Sequence, residues 1–374
     1  MIKIKTNYIL ILSLFFVLSY MIFQIFAYDL NYYGVPSVEI RSFYLYSFGY
    51  TILGIFISLI IGRLYSKNSV ISQIPYSLNL ILGCLWILDG VLQFQPQMPY
   101  GFLTFVIQPS IMAISETGIQ NFLYIGYSTW ALHPFQFDAL SGALQVFIGF
   151  SFLTYRSRSG LKLISIISIF WALIIWIFGE GLGGIPVYGV SLLTGFPGSA
   201  LLYILMAVPY LQDKFEHKSV LHEYFRNSLL VLVGISIILQ LLPFNSYWTS
   251  GIFSQIIYNN TFSQGESLWM YIILESVWPL LIFHTAYINI LFSLILVSLF
   301  FLLLSGNKTG DLMGMVTVSI FWILFQNLGI YQNPATDFNS GLLLVLIFYI
   351  NSFDSTLSFP VRSIVLHLTE KKIR

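Results

Sequence analysis

The chain has 374 residues, of which 57% are hydrophobic and only 8% charged, with a formal net charge of +1. Soluble domains carry roughly 25% charged residues, so a water-facing surface of this size is excluded and a polytopic membrane protein is predicted, its main partner the lipid bilayer. The charge balance offers no basic face for nucleic acid, and the single cysteine, Cys84, excludes an internal disulfide or a dithiol redox centre.

Lys3 and Lys5 precede the apolar run Ile9 to Ala27. That run exceeds a signal-peptide core and no small-residue cleavage pattern follows, so it reads as a retained first span. Ten spans of about 17–22 residues are predicted, the length a bilayer of ~30 Å requires. Two leading spans cover 8–28 and 44–64. Four more lie at 76–95, 137–155, 162–180 and 194–212, and a last four at 228–243, 284–305, 312–329 and 339–357.

A repeated word supports this grouping. Ser168-Ile169-Phe170-Trp171 returns as Ser319-Ile320-Phe321-Trp322, and His133 and His284 each precede the matching tryptophan at the same separation. Leu92-Gln93 and Pro96 likewise match Leu239-Gln240 and Pro243. The expected fold is therefore all-α, with about ten transmembrane helices arranged as two leading spans and two parallel four-helix repeats. The units are 1–70 for the leading helices, 71–215 and 225–358 for the repeats, and 359–374 for a cytoplasmic tail.

Lys and Arg gather on the cytoplasmic side of membrane proteins. With both termini inside, every basic residue except Arg41 falls in a cytoplasmic segment. Two long segments, Pro96 to Pro134 and Pro243 to Phe283, hold no Lys or Arg and are placed outside. Within them Gly101 to Ile114 and Trp248 to Tyr258 are apolar but too short to cross, and are expected at the interface or buried by protein. Asn259-Asn260-Thr261 has the form of a glycosylation acceptor on that outer side.

An ionisable residue inside a span is costly to place and marks a candidate site. Asp89 is such a residue, with Trp86 and Gln93 on its helical face and Gln95 just beyond. Glu180 closes a later span within the glycine-rich stretch Gly179 to Gly184, where backbone approach is close. His133 begins the span between them. These residues converge on the outer side, so Asp89, Glu180 and His133 are the candidate catalytic groups. Trp86, Gln93, Gln95 and Tyr203 are the candidate ligand contacts. The matched positions of the second half, Ser236 and Tyr331, carry no acid. A bis-histidine haem held by His133 and His284 is not expected, because both lie at helix ends. His217, His222 and His367 fall among charges in cytoplasmic segments, and no Cys/His spacing supports a metal site.

The stretch Leu82 to Gly90, the outer Pro-containing segment and the helix ending Gln145 to Arg158 resemble the DoxX/DoxD-like family of four-helix membrane proteins. The family pattern carries Glu where Gln145 stands. The resemblance implies a quinone-linked membrane redox subunit, with quinone as its cofactor and respiratory or other membrane subunits as partners. Two other classes fit the same sequence: a non-catalytic scaffold subunit of a membrane complex, and a small-solute transporter.

Overall fold

A computed structural model describes residues 2–26, 37–66, 70–187, 189–243, 246–249, 251, 268–331 and 334–352. The sequon at Asn259, most of the 248–258 segment and the 359–374 tail with His367 lie outside the described residues. The described chain is helical apart from turns and two isolated bridges, Ile71 with Ser157 and Ile114 with Val187. In order the main helices are α1 (Ile2–Phe26), α2 (Ser37–Ser66), α3 (Tyr76–Leu92), α4 (Thr117–Ala131), α5 (Pro134–Thr154) and α6 (Arg158–Ile174). They continue with α7 (Ser199–Ala207), α8 (Lys218–Leu241), α9 (Leu268–Phe283), α10 (Thr285–Leu304), α11 (Lys308–Gln326) and α12 (Asn339–Ser352).

Among the described residues six helices, not ten, are long and apolar enough to cross a membrane: Val38–Ser66, Pro134–Thr154, Arg158–Gly179, Lys218–Leu241, Thr285–Leu304 and Lys308–Gln326. The stretches expected to span at 76–95 and 194–212 form α-helices of 17 and 9 residues. At 1.5 Å per residue these rise about 26 and 14 Å, short of the ~30 Å core. Of 339–357, the described residues 339–352 are helical. The missing length goes into turns. Between α6 and α7 the chain takes positive φ at Gly181, Leu182, Gly183 and Gly184 and again at Gly195 and Gly198. Asn327, Leu328 and Gly329 do the same after α11.

The two four-helix repeats are corrected as well. One continuous hydrophobic core runs from Ile74 on the threshold of α3 to Phe348 in α12, with α7 packed on α12 and α8 on α10 and α12. The repeated words stand in different surroundings. Trp322 donates to the Phe338 carbonyl at 2.7 Å, whereas the Trp171 indole N–H has no partner among the described residues.

The α3–α5 contact positions the site. Gly83 and Gly90 on α3 face Gly149 and Gly142 on α5, seven residues apart on each helix. A Cβ built at Gly149 would stand 2.5 Å from the Gly83 carbonyl oxygen, and one at Gly90 2.8 Å from that of Gly142. Small residues let two backbones touch in a membrane, where packing rather than water exclusion drives association. The pair brings Trp86 and Asp89 against the interior. α2 covers α5 from the other side, where Ser58 and Ser151 share a 2.7 Å hydrogen bond.

The basic end of this bundle is tied by Arg158, which pairs with Asp213 at 3.0 Å and with Glu216. Glu216 also accepts from the Gln73 backbone N–H at 3.2 Å. At the opposite end Gln93 and Gln95 reach across to the carbonyls of Thr336 (3.1 Å) and Ala335 (2.7 Å). The segment before α12 is thereby fastened over the end of α3.

Candidate functional site

A cavity of about 310 Å³ opens between α3, α5, α6 and α7 at the end away from Arg158. Its volume falls at the lower end of small-molecule sites, ~300–1,000 Å³. Two π-helical turns border it, Phe102–Ile107 and Ile175–Gly179. Such turns are rare and concentrate at functional sites. Pro109 accounts for the first, since it cannot donate the helical hydrogen bond. In the second, the Glu180 N–H reaches back five residues to the Ile175 carbonyl at 2.9 Å. α4 forms an outer wall. Gly126 lets it approach Phe178, whose ring would lie 2.4 Å from a Cβ there.

Three carboxyl groups line the cavity: Asp89, Glu180 and Asp337. No Lys, Arg or His is among the described lining residues. Asp89 is buried at 4% exposure, and the Tyr203 hydroxyl donates to its Oδ2 at 2.5 Å. Tyr203 in turn packs on Trp86, ring centroids 4.3 Å apart, and the Trp86 indole donates to Ser168 Oγ at 3.0 Å. Glu180 sits at the start of α7. Its Oε1 accepts from the Ala200 N–H at 3.0 Å and from the Ser199 hydroxyl. A helix N-terminus presents unpaired N–H groups and a positive dipole end, which suits a carboxylate. Ser199 Oγ also lies 2.8 Å from Asp337 Oδ2, while Asp337 Oδ1 accepts from the Asn339 N–H at 2.6 Å.

One hydroxyl carries one proton. Ser199 can donate to Glu180 or to Asp337 but not to both at once, and a proton held on either carboxyl would let that group donate to Oγ in turn. The electrostatics agree. Burial, and then the neighbouring Asp337, hold the Glu180 carboxyl above the usual range, and burial does the same to Asp337. Unmet hydrogen-bonding capacity surrounds the space: Asp89 Oδ1, Glu180 Oε2, Gln145 Oε1 and the Trp171 N–H have no partner among the described residues.

Of the residues singled out from sequence, Asp89, Glu180, Trp86, Gln93 and Tyr203 line this one cavity. Gln95 does not; it fastens the 335–336 backbone behind it. His133 does not either. It is exposed at the N-terminus of α5, with its ring 6.5 Å from that of Phe137. His284 holds the same exposed position before α10. Sequence reasoning missed Asp337 and Ser199. The signal for Asp337 was a lone acid in a short segment, Pro334 to Phe338, between two apolar helices. It also missed Asp138, a second acid inside a span, which is fully buried and accepts from the Trp130 indole at 2.8 Å.

No protein-family model matches the chain, and none of the curated proteins or solved structures compared with it is similar to it. The DoxX/DoxD-like resemblance therefore gains no support beyond the residues that carry it. Fold and composition define a multi-pass, all-helical membrane protein.

Proposed function

We propose that the protein is a small-solute carrier whose binding site is the cavity between α3, α5, α6 and α7. The observation that carries this reading is three carboxyl groups, two of them linked through one serine hydroxyl, on a cavity with no basic side chain among its described lining residues. Buried acids that share protons inside a membrane bundle suit coupled transport. Asp89, Glu180 and Asp337 are assigned as the proton- and solute-binding groups, and Trp86, Gln93 and Tyr203 as their immediate support. A quinone-linked redox role is less well served by this geometry. The rings proposed to flank a quinone, Trp86 and Tyr203, pack on each other, and the Tyr203 hydroxyl is committed to Asp89.

The positive-inside rule favours a cytoplasmic position for the Arg158 end and an outer-leaflet position for the cavity. In a Cys84→Ser background, Leu132→Cys is expected to react with an impermeant thiol reagent added to sealed cells, and Ser66→Cys is not. The reverse pattern would invert the assignment.

The carrier reading is tested in proteoliposomes under an imposed pH gradient, with a panel of radiolabelled monoamines, polyamines, amino acids, alcohols and sugars. At least one solute should accumulate in a gradient-dependent manner, and Asp89→Asn should abolish that accumulation. If no panel member is driven by the gradient, the reading fails.

A further inference from the structure

We infer that the solute is a small organic cation, a protonated amine carried on a flat apolar body; this rests on the carrier reading above. The first argument is the hydrogen-bond inventory. The fully buried unpaired atoms at the cavity are three acceptors, Asp89 Oδ1, Glu180 Oε2 and Gln145 Oε1, against one donor, the Trp171 N–H. Gln145 is independent of the acids and is only 3% exposed. A buried polar atom without a partner is costly, and this set is completed by a ligand that donates. An ammonium group brings three donors and no acceptor.

The second argument is charge. An anion entering here would meet three carboxyl groups and no counter-charge. A neutral solute would leave any ionised carboxylate uncompensated in a low-dielectric site. A cation resolves both.

The third argument is the wall. Trp130, Trp171, Tyr127, Phe102 and Phe178 line the same cavity as the acids. Aromatic faces attract cations and accept flat apolar groups. A bare metal ion is a poor occupant of such a wall, since hard cations ask for six or more oxygen ligands. Among the described residues no group of three His, Cys, Asp or Glu is placed to hold one.

The test uses the purified full-length protein in detergent and three probes of one shape: phenethylamine, 2-phenylethanol and phenylacetate. Trp86, Trp130 and Trp171 line the cavity, so quenching of intrinsic fluorescence reports binding, with calorimetry as the check. Phenethylamine is expected to bind at least tenfold more tightly than the alcohol, with no binding of phenylacetate. Asp89→Asn should weaken the amine at least tenfold and the alcohol by no more than about twofold. Glu180→Gln serves as the second variant if Asp89→Asn does not fold. Equal or tighter binding of the alcohol or the acid overturns the inference, as does full amine affinity in a folded carboxamide variant or no binding of any probe. The two readings fail separately. Gradient-driven uptake of a neutral solute with no amine binding retains the carrier and removes the cation, whereas amine binding without uptake of any solute does the reverse.

Discussion

Gly149→Ala tests whether direct backbone contact between α3 and α5 holds the site together. The added Cβ would stand 2.5 Å from the Gly83 carbonyl oxygen, 2.7 Å from Ile87 Cγ1 and 2.8 Å from the Ile87 nitrogen. Ordinary contact begins at 3.4 Å, so the two helices must part by about 0.9 Å. Two of those three atoms belong to backbone and cannot rotate away. Replacing glycine by alanine inside a helix gains up to ~1 kcal/mol of propensity. Overpacking costs ~1–3 kcal/mol, and here the rigid neighbour sets it towards the upper end. The expected net effect is a loss of about 1–2 kcal/mol.

The displacement also reaches the cavity, because α3 carries Trp86 and Asp89 while Tyr203 stays with α7. A 2.5 Å bond from Tyr203 to Asp89, lengthened by a comparable amount, passes out of hydrogen-bonding range. Thermal unfolding in detergent measures the first effect. The second appears as a change in tryptophan emission that vanishes in a Trp86→Phe background. Gly49→Ala is the control: nothing lies within 4 Å of its Cβ, so only the propensity gain remains. If Gly149→Ala is as stable as Gly49→Ala and leaves Trp86 emission unchanged, the close-contact reasoning is refuted.

Ser199→Ala removes the donor that favours the ionised form of Glu180, so its carboxyl should ionise at a higher pH than in the parent protein; infrared absorption of protonated carboxyl groups, followed through a pH titration, should persist further into the alkaline range. Because burial and Asp337 raise Glu180 above its unfolded value of about 4.3, the folded state binds more protons across that window. Its contribution to stability is therefore complete below the unfolded value and lost as pH rises through the folded one. Thermal unfolding in detergent should show this slope, and Glu180→Gln should flatten it; an unchanged slope counts against the assignment. Gly198→Ala places a Cβ 2.2 Å from Glu180 Oε2 at φ 95°, a conformation strained for alanine. We expect a cost of ~1–3 kcal/mol and displacement of the carboxylate from the Ala200 N–H, read as loss of amine binding with the fold retained.

How much was legible in the sequence follows from what each signal measures. Hydropathy reports apolar content, so it located the membrane class and the six long spans, each within a few residues of its observed ends except at the starts of α2 and α8. It does not report helical length, and it therefore counted 194–212 as a span although its first residues are turns. A repeated word fixes letters, not surroundings: Trp171 and Trp322 share a word and differ in role. Asp89 and Glu180 stood out because each is an acid among apolar residues. His133 stood out for the same reason, yet the proline after it starts a helix and leaves the imidazole outside. The glycines at 83, 90, 142 and 149 were visible as letters, but their facing across two helices becomes apparent only in three dimensions.

Asp337 shows where the reading from sequence had to stop. The sequence carries no acid at the two positions matched to Asp89 and Glu180, which are Ser236 and Tyr331. The second half nevertheless delivers a carboxylate, from the segment joining α11 to α12. That segment has little regular structure of its own. Side-chain amides hold it in place: Gln93 on Thr336, Gln95 on Ala335 and Asn339 on the Gln326 carbonyl at 2.9 Å. Two of these donors stand more than two hundred residues away in sequence. A cavity assembled in this way requires both halves in one core, and the continuous packing from Ile74 to Phe348 provides it. Loosening the Gln93 and Gln95 clamps should therefore shift Asp337 away from Ser199 while Asp89 keeps its bond to Tyr203.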